Sequence, residues 1–173
     1  MSSRRDADTQ RERLDEVTGA IVDEAVRLHR DLGPGLLESV YEAILEKMLI
    51  GRGLSVERQK RVVFEYSGIH FDEGLRIDLL VEGSVVVELK SVEKLAPVHA
   101  KQVLTYLKLL DLPVGLLINF GGATLKEGLV ASSITIRTSS AHAETTHLAG
   151  RSLTSAIFAD AALTSNRQSL QVA

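Results

Sequence analysis

The chain of 173 residues contains no cysteine and no tryptophan. Without cysteine it can form neither disulfides nor thiolate metal sites, and it has no cysteine nucleophile. Its aromatic residues are three tyrosines and four phenylalanines, which offer little surface for stacking on nucleic-acid bases. The composition therefore gives no support to sequence-specific recognition of single strands by base stacking.

Long apolar runs are also missing. No run approaches the roughly 20 residues that a membrane-spanning helix needs, and the polar, charged start of the chain lacks the apolar stretch of a signal peptide. We therefore expect a cytoplasmic protein without a membrane partner. A length of 173 residues, of which 45% are hydrophobic, suits one domain with a packed core.

The charge of the chain is nearly balanced, with 20 basic and 23 acidic residues and a net charge of -3. This balance argues against binding to nucleic acid by bulk electrostatic attraction. It does not exclude a nuclease, because bound cations offset an acidic site. Six basic residues form a candidate phosphate-binding rim, with an ordinary solvated strand surface as the alternative: Arg58, Lys60, Arg61, Lys90, Lys94 and Lys101.

Two acidic residues interrupt aliphatic runs that otherwise have the pattern of buried strands. Asp78 lies within residues 76–81, and Glu88 and Lys90 end the run at 85–90. Ionised groups are rarely buried unless they are paired or bind a metal. The two acids and the lysine therefore indicate a metal site.

The turn between these two strands determines whether the acids meet. If the hairpin is centred on Gly83, Asp78 lies directly opposite Glu88, with Cβ atoms roughly 4.5–5.5 Å apart, and Lys90 projects from the same face. A strict two-residue loop would shift the register by one and place the carboxylates on opposite faces. The metal-site interpretation thus predicts a three-residue or bulged turn.

Two carboxylates this close need a shared proton or a cation between them. Oxygen ligands suit Mg²⁺ or Mn²⁺, and such an ion polarises a phosphodiester and lowers the pKa of a bound water. The carbonyls of Val87 or Leu89 are further candidate ligands, and Lys90 would orient the water or offset charge on the phosphate. The alternative is a solvent-facing strand edge on which Glu88 and Lys90 are ordinary surface residues.

A helix is predicted after these strands. Pro97 suits its first turn, and apolar residues up to Leu110 recur at helical spacing. Gln102 and Tyr106 are four residues apart and share a face, which we expect beside the polar end of the hairpin. The alternative is an exposed Gln102 and a half-buried Tyr106 without a role in the site. Residues 114–120 then form a predicted central buried strand.

Two further helices are predicted upstream, over about 14–32 and from the loop at residues 33–35 to Gly51. Glu38 and Tyr41 are three residues apart and point the same way. A glutamate in the first turn stabilises the helix dipole, which is a purely structural alternative to a role for Glu38 in the site.

Several of these segments together resemble a known family. Residues Gly35, Glu38 and Tyr41 match the motif of the GxxExxY proteins, a bacterial family assigned to the PD-(D/E)XK nuclease superfamily. The resemblance covers roughly residues 15 to 130. The supporting segments follow in order: Leu28-His29-Arg30 with the Gly-Pro-Gly loop, 76–83, 88–92, 102–107 and 116–120.

This resemblance implies an α/β fold with a restriction-endonuclease-like core, in which a mixed central sheet is flanked by helices. The implied site residues are the motif aspartate Asp78, the (D/E)XK pair Glu88 and Lys90, the first-helix acid Glu38, and Gln102 and Tyr106, which resemble the QxxxY motif of RecB-like members. The implied metal ligands are Asp78, Glu88 and Glu38, with Mg²⁺ or Mn²⁺ as the ion.

Composition divides the chain into three parts. Residues 1–13 are charged and polar and are predicted to be a flexible N-terminus, and residues 14–130 form the nuclease-like domain. Residues 131–173 are rich in Ala, Ser and Thr and are predicted to be a disordered tail.

Three functions agree with these observations. The first is a metal-dependent nuclease that hydrolyses phosphodiester bonds in DNA or RNA, with a protein partner or a homodimer left open. The second is a non-catalytic nucleic-acid- or protein-binding module that retains the nuclease fold, although a binder has no need of paired carboxylates facing phosphate. The third is a structural domain that uses the charges as a buried network, which would leave one surplus negative charge to satisfy.

Overall fold

The computed structural model describes residues 2–134 of the chain. Four helices and five strands follow one another in this part. Their bounds are α1 Ser2–Leu32, α2 Glu38–Gly51, β1 Val56–Tyr66, β2 Ile69–Val81, β3 Val85–Lys90, α3 Pro97–Leu110, β4 Val114–Asn119, α4 Leu125–Gly128 and β5 Leu129–Ser133.

The strands form one sheet in the order β1-β2-β3-β4-β5. The β3–β4 pair is parallel and the other three pairs are antiparallel. α3 connects the two parallel strands, because a parallel pair needs a long crossover. The sheet is therefore mixed and flanked by helices, which confirms the predicted fold class.

Each face of the sheet carries its own apolar cluster. One cluster joins α1 and α2 to side chains such as Leu79, Val87 and Ile118, and the other joins α3 to side chains that include Leu80 and Val86. A fully buried aliphatic side chain contributes about 1.5–3 kcal/mol. The two clusters thus explain why most positions of β3 and β4 are apolar.

The turn between β2 and β3 has the predicted three-residue form. Val81 pairs with Val85 and Leu79 with Val87, so the hairpin is centred on Gly83. Glu82 and Gly83 have φ values of 52° and 61°, the left-handed conformation that glycine adopts without strain. The register therefore sets Asp78 and Glu88 at matching positions on the two strands.

The helix and strand predictions around the site are confirmed. α1 ends at Leu32 and α2 begins at Glu38, on either side of the Gly-Pro-Gly loop. α3 begins at Pro97, and β4 is a buried strand between β3 and β5. No helix within residues 2–134 combines the length and apolar character of a membrane span.

Two predicted boundaries need correction. α1 begins at Ser2 and not near residue 14, so the segment 1–13 is helical from its second residue. β5 extends to Ser133, so residues 131–133 belong to the sheet and not to the tail. Ala131 pairs with Leu116 of β4, and this pairing overrides the weak strand propensity of Ala and Ser. The rest of the predicted tail, residues 135–173, lies outside the described residues.

Candidate active site

The site lies where β2 and β3 separate. Their backbone pairing ends at Leu79 and Val87. Beyond this last pair, the Leu89 N–H of β3 donates to Asp78 Oδ2 of β2 at 2.8 Å. The aspartate side chain thus occupies the gap between the strands, close to the start of the Glu88-Leu89-Lys90 segment.

Glu88 is the most deeply buried acid of the site, with 2% of its surface exposed. Its Oε1 accepts a hydrogen bond from Lys90 Nζ at 2.6 Å, whereas its Oε2 finds no hydrogen-bond partner among the described residues. Burial and the nearby charge of Asp78 raise the pKa of Glu88 to about 7, despite the opposing effect of Lys90. One buried carboxylate oxygen is therefore left without a ligand or donor, which is costly unless something binds it.

Asp78 lies in a similar environment. Burial raises the pKa of Asp78, and Glu38 adds to the increase, whereas the Leu89 N–H, Lys90 and Gln59 lower it. The Gln59 amide donates to Asp78 Oδ1 at 3.3 Å. The two acids and the lysine are thus brought together as the sequence predicts, and the acids together hold one charge more than Lys90 neutralises.

α2 contributes two acids, one predicted and one missed. Glu38 is exposed, and its Oε1 accepts a hydrogen bond from the Ser91 N–H at 2.9 Å; its charge raises the pKa of both Asp78 and Glu88. Glu42, one turn later, is buried, and burial and Asp78 raise its pKa as well. The spacing of four residues between two glutamates on one helix face was a signal for Glu42.

Tyr41, the last residue of the GxxExxY pattern, acts on the backbone and not on the site. Its hydroxyl donates to the Gly33 carbonyl at 2.6 Å and accepts from the Leu36 N–H at 3.2 Å. Its ring stacks on Phe120 with centroids 4.3 Å apart. Tyr41 therefore fixes the loop before α2, and with it the first turn that carries Glu38.

α3 provides the opposite wall. Gln102 donates to the Tyr106 hydroxyl at 2.7 Å, and that hydroxyl donates to the Arg76 carbonyl at 3.3 Å. Tyr106 is buried and Gln102 is partly exposed, and burial raises the pKa of Tyr106. Both line a polar cavity of about 480 Å³, together with Arg61, Gly74, Leu75, Arg76, Asp78 and Glu88.

The predicted phosphate-binding rim forms only in part. Arg61 lines the cavity. Arg58 instead forms ion pairs with Glu46 at 3.0 Å and Glu42 at 3.5 Å on α2, and Lys60 pairs with Glu57 at 2.7 Å. Arg58 therefore ties β1 to α2, whereas the Lys60–Glu57 pair lies within β1.

The donor set fits a magnesium ion that keeps much of its own water. No group of three or more Asp, Glu or His side chains within residues 2–134 is arranged to hold a metal by itself. Mg²⁺ is usually bound by one or two carboxylates, with waters and substrate phosphates completing its shell. Asp78 and the unpartnered Glu88 Oε2 are such a pair.

The sheet, the gap between β2 and β3 and the acid–acid–lysine set are those of an α/β nuclease-type domain. A family model described as the PD-(D/E)XK nuclease superfamily matches residues 15–131, which is well over half of the chain. The chain belongs to the PD-(D/E)XK nuclease superfamily. Comparisons with curated proteins and with solved structures gave no significant match.

Proposed function

We propose that this protein is a metal-dependent nuclease of the GxxExxY family that hydrolyses phosphodiester bonds in DNA or RNA. The observation that carries the proposal is the buried Glu88 Oε2, which has no hydrogen-bond partner among the described residues and lies beside Asp78 in a polar cavity. A buried carboxylate with a free oxygen next to a second carboxylate is suited to a cation.

Asp78 and Glu88 would hold Mg²⁺ or Mn²⁺. Glu38, on the first turn of α2, is not arranged with them as a three-ligand group in this structure and would become a third ligand only if its side chain moved towards the ion. When bound, such an ion polarises the phosphodiester and lowers the pKa of a bound water. The Leu89 N–H keeps one oxygen of Asp78 in place, so the carboxylate needs little reorganisation on binding. Glu38 is held by the Ser91 N–H and adds negative charge that attracts the cation.

Lys90 acts as a fixed positive charge. Burial lowers the pKa of Lys90, but its hydrogen bond to Glu88 and the charges of Glu88 and Asp78 outweigh burial, so the pKa is raised overall. The ammonium group therefore stays protonated at neutral pH. It is suited to offset negative charge that develops on the phosphate during hydrolysis, and unsuited to accept a proton from water.

Tyr106 and Gln102 position the substrate in this proposal. Both side chains line the cavity and are hydrogen-bonded to each other. The raised pKa of Tyr106 keeps its hydroxyl protonated, and in this proposal a phosphate oxygen would take that hydrogen in place of the Arg76 carbonyl, which now accepts it at 3.3 Å. A neutral donor of this kind adds no positive charge to a site whose acids the cation would neutralise.

Calorimetric titration of Mg²⁺ and Mn²⁺ into metal-free protein tests the site directly. We expect binding to wild type and its loss in Asp78→Ala. Asp72→Ala is the matched control, because Asp72 lies on the same strand with 78% of its side chain exposed. Binding to Asp78→Ala with wild-type affinity would contradict the proposed ligand.

A cleavage screen then tests the activity. Single- and double-stranded DNA and RNA are incubated with wild type and with Asp78→Ala, Glu88→Ala and Lys90→Ala. We expect metal-dependent cleavage that each substitution abolishes in folded protein. Wild-type-like cleavage by all three variants would rule out this site, and metal-independent binding without cleavage would favour the non-catalytic binding module.

A further inference from the structure

The pairing between β1 and β2 is interrupted beside Asp78. Arg58 pairs with Leu79 and Lys60 with Ile77, but the residues between them, Gln59 and Asp78, are not paired. Gln59 has a φ of 53°, a left-handed conformation that is unfavourable for a residue with a side chain. The strand is therefore distorted at the point where it passes the candidate metal ligand.

The other non-glycine residues with positive φ within residues 2–134 stand at places where the chain reverses or a helix ends. Ser67 precedes Gly68 in the β1–β2 turn, Glu82 lies in the β2–β3 turn, and Asp111 is the C-cap of α3. Gln59 differs because it lies inside a strand. Strained backbone that no turn requires is characteristic of functional sites.

The distortion allows the Gln59 amide to reach two carboxylates. Its Nε2 donates to Glu42 Oε2 at 2.6 Å and to Asp78 Oδ1 at 3.3 Å. The two hydrogens of one amide group thus connect an acid of α2 with an acid of β2. Because the amide is neutral, it joins the two without neutralising either of them.

Glu42 supports this amide from a buried position. It is 4% exposed, and Arg58 Nη1 lies 3.5 Å from its Oε1, which has no hydrogen bond among the described residues. Asp78 is held on its own second oxygen by the Leu89 N–H at 2.8 Å. The orientation of the Asp78 carboxylate is therefore determined from two sides, by β3 and by the pair formed by Glu42 and Gln59.

We propose that Gln59 is a positioning residue for Asp78 and that Glu42 acts through it. The amide holds Asp78 Oδ1 in the orientation required for cation binding, and Glu42 anchors the amide. This inference rests on the proposed function, in which Asp78 is a metal ligand. Residues that orient a metal ligand typically contribute about 10- to 100-fold to metal affinity.

Two substitutions of Gln59 separate this role from simple support of the fold. Gln59→Met keeps the length of the side chain and removes the donors, and Gln59→Gly also relieves the left-handed backbone. We expect both to bind Mn²⁺ about 10- to 100-fold more weakly than wild type in calorimetry. Each titration is made well below the melting temperature of the variant, so that unfolding does not contribute.

Ser67→Gly is the control, because it relieves the same backbone conformation at an exposed turn. We expect Ser67→Gly to bind Mn²⁺ as wild type does. If both Gln59 variants melt at lower temperature but bind Mn²⁺ with wild-type affinity, Gln59 only supports the fold and the inference is wrong. If wild type itself does not bind Mn²⁺, with or without a non-hydrolysable oligonucleotide, the proposed function fails and the inference fails with it.

A double-mutant cycle tests the part of Glu42. We expect Glu42→Ala to weaken Mn²⁺ binding in the wild-type background and to have little further effect in Gln59→Met. An equal loss of affinity in both backgrounds would show that Glu42 influences the cation independently of Gln59 and would overturn that part of the inference.

Discussion

At the scale of single residues, the site is defined by carboxylates that the protein does not fully satisfy. Lys90 neutralises one of the two acids beside it, and Glu88 Oε2 has no donor among the described residues. A buried network that served stability alone would be expected to satisfy every member. The proposed cation would neutralise this surplus charge, and without it the raised pKa of Glu88, about 7, lets a proton do so.

The pH dependence of stability follows from Glu88. Its pKa in the folded protein is raised from 4.5 to about 7, so between these values the folded state binds more protons than the unfolded state. The metal-free protein should therefore lose stability as pH rises from about 5 to 8, by up to about 3 kcal/mol from this group. Asp78 and Glu42, whose pKa values are also raised, act in the same direction.

Urea unfolding of the metal-free protein at pH 5 and pH 8 checks this prediction. Glu88→Gln, which cannot ionise, should show a much smaller difference between the two pH values. Glu82 does not interfere with this comparison. Its pKa is lowered by the Ser55 N–H and Arg13, so its contribution to the stability of the folded state is lost only as pH falls below this range. An unchanged pH dependence in Glu88→Gln would contradict the assignment.

The sequence allowed part of this site to be predicted. The placement of Asp78 opposite Glu88 followed from a turn centred on Gly83, because the length of the turn sets the strand register of a hairpin, and the alternation of side chains sets which residues share a face. Gln59 was missed because its proposed positioning role depends on a left-handed backbone conformation inside a strand. No pattern of residue types predicts such a conformation. The distance from Gln59 to Glu42 likewise depends on how α2 packs against β1.

At the scale of elements, the first turn of α2 is tied to the end of β3. The Ser91 N–H donates to Glu38, and the Ser91 hydroxyl donates to the Leu36 carbonyl at 2.8 Å. Asn119 holds the next residue, Val92, through hydrogen bonds of 3.0 Å and 2.8 Å to its backbone. The segment after Lys90 is thus held from both sides, which keeps the lysine beside Glu88.

Glu38 accepts the Ser91 N–H at this junction and is proposed to contribute charge to the cation site, and one substitution can separate the two. Glu38→Gln keeps an oxygen that accepts the Ser91 N–H but removes the charge. We expect the free energy of unfolding to change by less than about 0.5 kcal/mol, as for most surface substitutions, and Mg²⁺ to bind more weakly. Urea unfolding and calorimetry on the same samples measure both quantities. Unchanged Mg²⁺ affinity would mean that Glu38 is only structural.

A substitution of Tyr41 tests how the loop before α2 is held in place. Tyr41→Phe preserves the stacking on Phe120 but leaves the Gly33 carbonyl and the Leu36 N–H without their partner. Loss of these hydrogen bonds should lower the free energy of unfolding by about 1–3 kcal/mol. Thermal and urea unfolding measure this change, and a variant as stable as wild type would show that the loop before α2 does not depend on the hydroxyl.

At the scale of the whole molecule, the parts predicted well are those with strong local patterns. α2, α3, β3 and β4 carry long apolar patterns and clear boundaries at Gly and Pro, so their positions were predictable. β5 was missed because Leu129–Ser133 consists mostly of small residues, and its strand conformation comes from pairing with β4. The early start of α1 was missed because its first turns show no apolar face.

The boundary of the domain can be tested by truncation. We propose that the folded unit extends to residue 134, because β5 completes the sheet and the Ile134 N–H donates to the Pro113 carbonyl at 2.9 Å. A chain that ends at Ile134 should unfold within about 1 kcal/mol of the full chain and bind Mg²⁺ equally well.

A chain that ends at Gly128 is the matched comparison, since it lacks β5. It removes the buried Leu129 and exposes the backbone of β4 along five residue pairs. The loss of one buried leucine alone costs about 2–5 kcal/mol, so this variant should be largely unfolded by circular dichroism. If the chain that ends at Ile134 were equally unfolded, residues beyond 134 would contribute to the stability of the domain and the proposed boundary would be wrong. If both products remained folded, β5 would be dispensable, and the core formed by α1, α2, α3 and the other four strands would suffice to hold Asp78 and Glu88 together.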